Sequence, residues 1–157
     1  MSTIALTTSI IERLDLTPVQ SIIDARRTAG TLTQRSPHLA FDIDFPREAA
    51  DPRELSEIPE IRLWFVALDA LYPWLPYLLD WQSGELTRYT AMLVPHQFSK
   101  TGIQYNPEAL ELFVMGKVFH IVHWMKANQV AGRNNVKLMT KTLGYELDDQ
   151  FFELIGF

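Results

Sequence analysis

The chain contains no cysteine. That removes structural disulfides, thiol catalysis, thiolate-held zinc and any iron–sulfur cluster bound through its own sulfurs. Long apolar runs are missing too. The most apolar stretch is interrupted by Lys117, His120, His123 and Lys126, so no segment of about 18 residues suits a bilayer, and membrane insertion is not expected. The opening MSTIALTTSIIERLD has no basic n-region followed by a long apolar core, and it is not arginine-rich and acid-poor. Neither a secretory signal nor a transit peptide is expected, which points to action in the cytoplasm. Basic charge is scarce, with 14 Lys and Arg against 19 Asp and Glu and a net charge of -5. Generic nucleic-acid binding is therefore disfavoured, because phosphate contacts need a cationic surface. There is no G-x-G-x-x-G, no phosphate-binding loop, no G-x-S-x-G elbow and no H-E-x-x-H.

What remains is a chain of 157 residues, 47% apolar and 21% charged, with the composition of one soluble domain spanning residues 1–157. A domain of that size buries somewhat more than about two-thirds of the surface its unfolded chain exposes. Thr3 to Thr7 reads as a short strand, and Thr17-Pro18 opens a helix that runs to about Ala29 before Gly30. Leu39 to Phe45 alternates cleanly, with Leu39, Phe41, Ile43 and Phe45 on one face and Asp42 and Asp44 on the other. Asp51-Pro52 begins a short helical turn through Leu55. Glu60 to Asp69 is apolar on both faces of a period-2 pattern and is predicted to be a central strand. Glu85 to Val94 is predicted to be another strand, ended by Pro95. Asn106 and Pro107 form a cap and first turn for a helix to about Ala127, followed by helices over Asn134 to Leu143 and Asp148 to Ile155. The class expected is α+β, with an antiparallel or mixed sheet of about four strands packed against the C-terminal helices.

Leu55 to Trp81 holds three of the four tryptophans, three of the nine prolines and no glycine. Dense aromatics mark a core or a contact surface. Leu63 to Leu68 is assigned to the core, whereas prolines interrupt Tyr72 to Trp81, which is therefore read as a stiff segment suited to holding a partner. Tyr72, Trp74, Tyr77 and Trp81 are its candidate contacts. Val94 to Phe98 leaves a predicted strand for a loop, which makes His96 and Phe98 candidates beside it.

Charge is divided along the chain. From Asp42 to Asp80 nine acids face three arginines, while Leu112 to Lys141 has five cations and no acid. Such halves either orient docking or face each other within the fold. The basic stretch, with Lys117 and Lys126, is a second candidate surface. Three rival chemistries have some basis. His120 and His123 lie three apart on a helix and, with His96, are the basis for a metal or hydrolytic site; two ligands do not make one, and a rim or interface hydrogen-bonding role is the plainer reading. The acid-free stretch with Trp124 is the basis for an RNA-binding module. Asp148 and Asp149 form a carboxylate pair, which a helix cap and the helix dipole explain without chemistry.

The runs PEIRLWF (59–65), YPWLPYLLDW (72–81), LVPHQF (93–98), QYNPEALELFVMGKVF (104–119) and LGYELDD (143–149) resemble the chlororespiratory reduction 6 family of cyanobacteria and plant chloroplasts. The resemblance extends through the opening TIALTTSIIERLDLTP and covers nearly the whole chain. It implies a non-catalytic, chaperone-like assembly factor for the photosynthetic NDH complex, which helps incorporate iron–sulfur subunit I of the peripheral arm and does not stay in the finished complex. It carries no catalytic residue and no cofactor. The missing transit peptide matches a cyanobacterial member, where plastid relatives act in the stroma. Without cysteine, such a factor cannot lend cluster ligands and has to act by holding or shielding its client.

Overall fold

A computed structural model describes residues 1–157. The fold is α+β and contains four strands, as expected, in two separate pairs. Strand β1 (Ser2–Thr7) pairs in parallel with β2 (Leu39–Asp44), from Ser2 against Leu39 to Thr7 against Asp44. Parallel neighbours need a long crossover, and helices α1 (Thr8–Glu12) and α2 (Thr17–Thr28) supply it. The N-cap of α2 is Leu16 rather than the expected Thr17, and the Asp15 carboxylate accepts from Thr17 N at 2.9 Å. In β2 the predicted alternation holds: Leu39 and Phe41 are buried while Asp42 and Asp44 face solvent.

The two predicted central strands are helices. Helix α3 runs Pro59–Leu71 and α4 runs Glu85–Leu93. In α3 the buried residues are Ile61, Trp64, Phe65 and Leu68, a helical i, i+3, i+4, i+7 stripe. The outward side carries Leu63 and Val66, about half exposed, and these apolar residues imitated a strand buried on both faces. In α4 the β-branched and aromatic residues Thr87, Tyr89 and Thr90 suggested a strand. One local device opens the helix, Gly84 turning the chain at φ +86°, and within it the buried Thr90 hydroxyl is satisfied by donating to Leu86 O at 2.9 Å.

Between them, Leu75–Leu78 forms a single 3-10 turn, the state the prolines left undecided. The chain then touches the sheet, with Leu79 bridging Leu39 and Asp80 N donating to Leu39 O at 3.0 Å. Residues past Pro95, expected as a loop, form a hairpin of β3 (His96–Ser99) and β4 (Gly102–Tyr105). Helix α5 (Pro107–Ala127) is capped as expected by Asn106, whose side chain accepts from Glu108 N and Ala109 N. Helices α6 (Arg133–Thr142) and α7 (Asp149–Leu154) follow.

One apolar core unites β1, β2, the seven α-helices and the 3-10 turn. At its centre Phe41, Trp64, Phe65 and Tyr89 meet mostly edge to face, with centroids 5.1 to 6.5 Å apart. Each such ring contributes roughly 1.5–3 kcal/mol by burial, and edge-to-face pairing adds about 0.5–1.5. A polar seam crosses this core: Asp69 Oδ1 accepts from Lys117 Nζ at 2.5 Å and from Tyr89 Oη at 3.1 Å, tying α3, α4 and α5 together. Burial, then the Asp69 carboxylate, push the Tyr89 hydroxyl far above its usual range, so it stays a donor.

Candidate functional site

The eight candidate contact residues fall in three places. Tyr72, Trp74 and Lys117 gather on one side. The Tyr72 and Trp74 rings meet edge to face at 5.6 Å, Trp74 stacks on Trp124 at 4.7 Å and 9°, and Lys117 donates to Pro73 O at 3.3 Å. Tyr72 and Trp74 are half-buried, but Tyr77 and Trp81 are 3% and 6% exposed. That reverses the expectation that proline keeps Tyr72 to Trp81 out of the core. The physical reason is that the turn satisfies its own backbone. Leu75 N, Tyr77 N and Leu79 N donate to Tyr72 O, Trp74 O and Pro76 O, and Trp81 Nε1 donates to Pro76 O at 2.8 Å. Arg35 closes the outer face, its guanidinium 3.6 Å from the Trp81 ring centre.

The basic stretch is largely spent inside the molecule. Lys117 is buried against Asp69, Lys126 donates to Ile155 O, and Arg133 and Lys137 both hold Asp149. Lys117 thus cannot belong to an open surface, and the two charged halves meet through the Asp69–Lys117 pair. Trp124 is buried beneath Trp74, which denies an RNA-binding reading its stacking residue. His120 and His123 stand exposed on α5, away from any interface with a sheet. No three His, Cys, Asp or Glu side chains gather as a metal site. Asp148 caps α7, accepting from Phe151 N at 2.9 Å, and Lys137 and then Arg133 hold the Asp149 carboxyl below its usual range.

His96 and Phe98 are brought together, with ring centres 5.2 Å apart on the hairpin. Both sit on the hairpin face shared by Ile103 and Tyr105, since Phe98 opposes Ile103 and His96 opposes Tyr105. His96 anchors this face: Nδ1–H donates to Val94 O at 2.9 Å, and Nε2 accepts from Ser56 Oγ at 3.1 Å. Beneath it Arg62 donates to Ser56 O and Ala91 O at 2.8 and 3.0 Å, and burial lowers its pKa. Tyr105 Oη donates to Thr87 O at 3.3 Å. His96 therefore fastens the hairpin, and Phe98 is displayed by it.

Next to the displayed ring lies an open groove of about 520 Å³. Its floor is α4 with Thr87, Ala91 and Met92, and its walls are Leu55 on one side and Phe98 and Ile103 on the other. Phe98 and Ile103 are 39% and 38% exposed. Sequence reasoning found Phe98 but missed Ile103 and the groove. The signal was available: Ser99-Lys100-Thr101-Gly102 between HQF and IQY is a two-residue hairpin loop followed by glycine.

Fold and surface together define a small α+β domain whose buried charges serve structure and whose concave feature is an apolar groove beside a hairpin. No helix is long and apolar enough to cross a membrane. No solved structure matches the chain. A family model described as "Chlororespiratory reduction 6" matches residues 6–154, and the chain belongs to that family. Membership implies a role in assembly of the NDH complex.

Proposed function

We propose that this protein is a non-catalytic, chaperone-like factor that binds iron–sulfur subunit I of the photosynthetic NDH complex and holds it for incorporation into the peripheral arm. The match over residues 6–154 carries this reading. The chemistry of the chain agrees with it: with no cysteine it has no thiolate to give a cluster, so its help takes the form of covering client surface. Action from the cytoplasm of a cyanobacterium, or the stroma in plastid relatives, belongs to the same proposal.

Of the eight candidate residues, Phe98 with His96 behind it is the pair best placed for contact, and Tyr72 and Trp74 form a second, half-buried ledge. Tyr77, Trp81 and Lys117 act by supporting the ledge from inside. Lys126 is exposed but donates to Ile155 O, just past the end of α7. The test is capture by tagged protein in cells that lack the mature complex, with the bound subunits identified by mass spectrometry. Subunit I is expected at near-stoichiometric yield; its absence alongside other NDH subunits would remove the client assignment.

A further inference from the structure

The hairpin is a sheet of two strands, and no backbone group from the rest of the molecule bonds to its outer edges. Asn106 N donates to Pro95 O, which makes residues 95 and 106 a hydrogen-bonded pair. By antiparallel alternation the pairs 97/104 and 99/102 are bonded as well, so the backbone groups of His96, Phe98, Ile103 and Tyr105 point away from the partner strand. These are the four residues whose side chains face the groove side. Strand edges of this kind are templates for an added extended segment.

The edge of β2 offers a contrast within the same molecule. Beyond Leu39, its Phe41 N donates to Glu85 Oε2 at 3.3 Å and its Phe41 O accepts from Arg88 Nη1 at 2.8 Å. Two α4 side chains there occupy the place of a third strand. Nothing comparable covers the hairpin.

Charge narrows what fits. Residues 42–60 contain seven acids and two arginines, and one of those, Arg53, is paired with Asp51 at 2.8 Å. Asp42, Asp44, Glu48, Glu54 and Glu60 are exposed. This segment supplies Glu54 and Leu55 to the groove's lining, and the one cation in that lining is Arg88. Arg88 is itself engaged, 3.5 Å from Glu85 and bonded to Phe41 O.

We propose that the groove between α4 and the hairpin takes an extended segment of the client protein, with apolar side chains between Leu55, Phe98 and Ile103 and basic residues at its ends. An apolar groove with Glu54 in its wall and its one cation, Arg88, already engaged favours such a segment over a polyphosphate chain. The proposal rests on the assembly reading only for the identity of the client.

Two eight-residue peptides test it, each with a Val-Ile-Phe-Val centre, one ending in two Lys or Arg on each side and its twin ending in Glu. Fluorescence anisotropy at low and physiological salt is expected to show binding of the basic peptide, at least about tenfold weaker binding of the acidic twin, and loss of binding in Ile103→Asp. Amide shifts should move at His96, Phe98, Ile103 and Tyr105. Both Phe98 and Ile103 are more than one-third exposed, so Phe98→Asp and Ile103→Asp are expected to fold, as their circular dichroism would report. Glu54→Gln, at the acid that lines the groove, should weaken the basic peptide severalfold and flatten its salt dependence. Absence of binding by either peptide, equal binding of both, or full capture of subunit I by Ile103→Asp would each overturn the groove assignment and leave the assembly reading standing. Peptide binding that Ile103→Asp abolishes, with no subunit I captured by the wild-type protein, would keep the groove and remove the client.

Discussion

Tyr72 to Trp81 and His96 to Tyr105 are both short, aromatic and bounded or interrupted by proline, yet one is packed into the core and the other is displayed. The difference lies in where their backbone bonds go. The first segment closes its N–H groups on its own carbonyls and on Leu39, so it can be buried without leaving polar groups unpaired. The second presents alternate N–H and C=O groups outward along two edges, which only solvent or another chain can satisfy. Aromatic density and proline content did not separate the two; hydrogen-bond closure did.

That contrast breaks most readily in the core. Tyr77→Ala and Trp81→Ala should each cost about 3–5 kcal/mol, the usual range for removing a buried large aromatic, measured by urea denaturation. A loss under about 1 kcal/mol with reduced subunit capture would show instead that this segment is a contact surface. Lys117→Met comes next, because it leaves the Asp69 carboxylate without its cation in the seam between α3, α4 and α5. Breaking a buried pair costs about 3–5 kcal/mol, but the Asp69 side chain is 22% exposed, so about 2–3 is the expectation. Adding Asp69→Asn should restore part of the loss, and a further loss on adding it would deny the coupling. On the displayed side, Phe98→Asp should change stability by no more than about 0.5 kcal/mol while abolishing capture of subunit I. A variant that unfolds would place Phe98 with the core residues.

Much of this was legible in the chain. The Asn106 and Asp148 caps, the β2 alternation and the helices of the C-terminal third follow from local signals that tertiary packing does not oppose. The α3 and α4 assignments failed for a physical reason. A helix apolar on its outward side as well, through Leu63 and Val66, loses the contrast that distinguishes a 3.6-residue period from a buried strand. Ile61, Trp64, Phe65 and Leu68 carried the helical spacing, but Pro59 at the first turn had to be weighed with them. Burial of Tyr77 and Trp81 depends on Leu39, Arg35 and Trp124, residues 38 to 47 positions away, and no local pattern reports such partners. The groove is likewise built from three separated pieces, of which only Phe98 was singled out.

The smallest effect concerns a third region, where charge does the ordering that apolar area does elsewhere. Asp149 lies at the start of α7, and hydrogen bonds first from Lys137 and then from Arg133 lower its pKa from the ordinary 3.8. Because the folded value is the lower one, the stabilisation is fully present above the ordinary value and is lost as pH falls through the folded one. Acidification from pH 5 toward pH 2 should therefore loosen α7 against α6, read as faster amide exchange at Phe151 and Phe152 before global unfolding. Asp149→Asn should remove most of that pH dependence, while Asp148→Ala, which removes the cap instead, should speed exchange at every pH. If Asp149→Asn leaves the acid response unchanged, the Arg133 and Lys137 contacts are surface pairs of no consequence and those two cations become available to a partner. The basic third of the chain would then return as a contact surface to rival the hairpin.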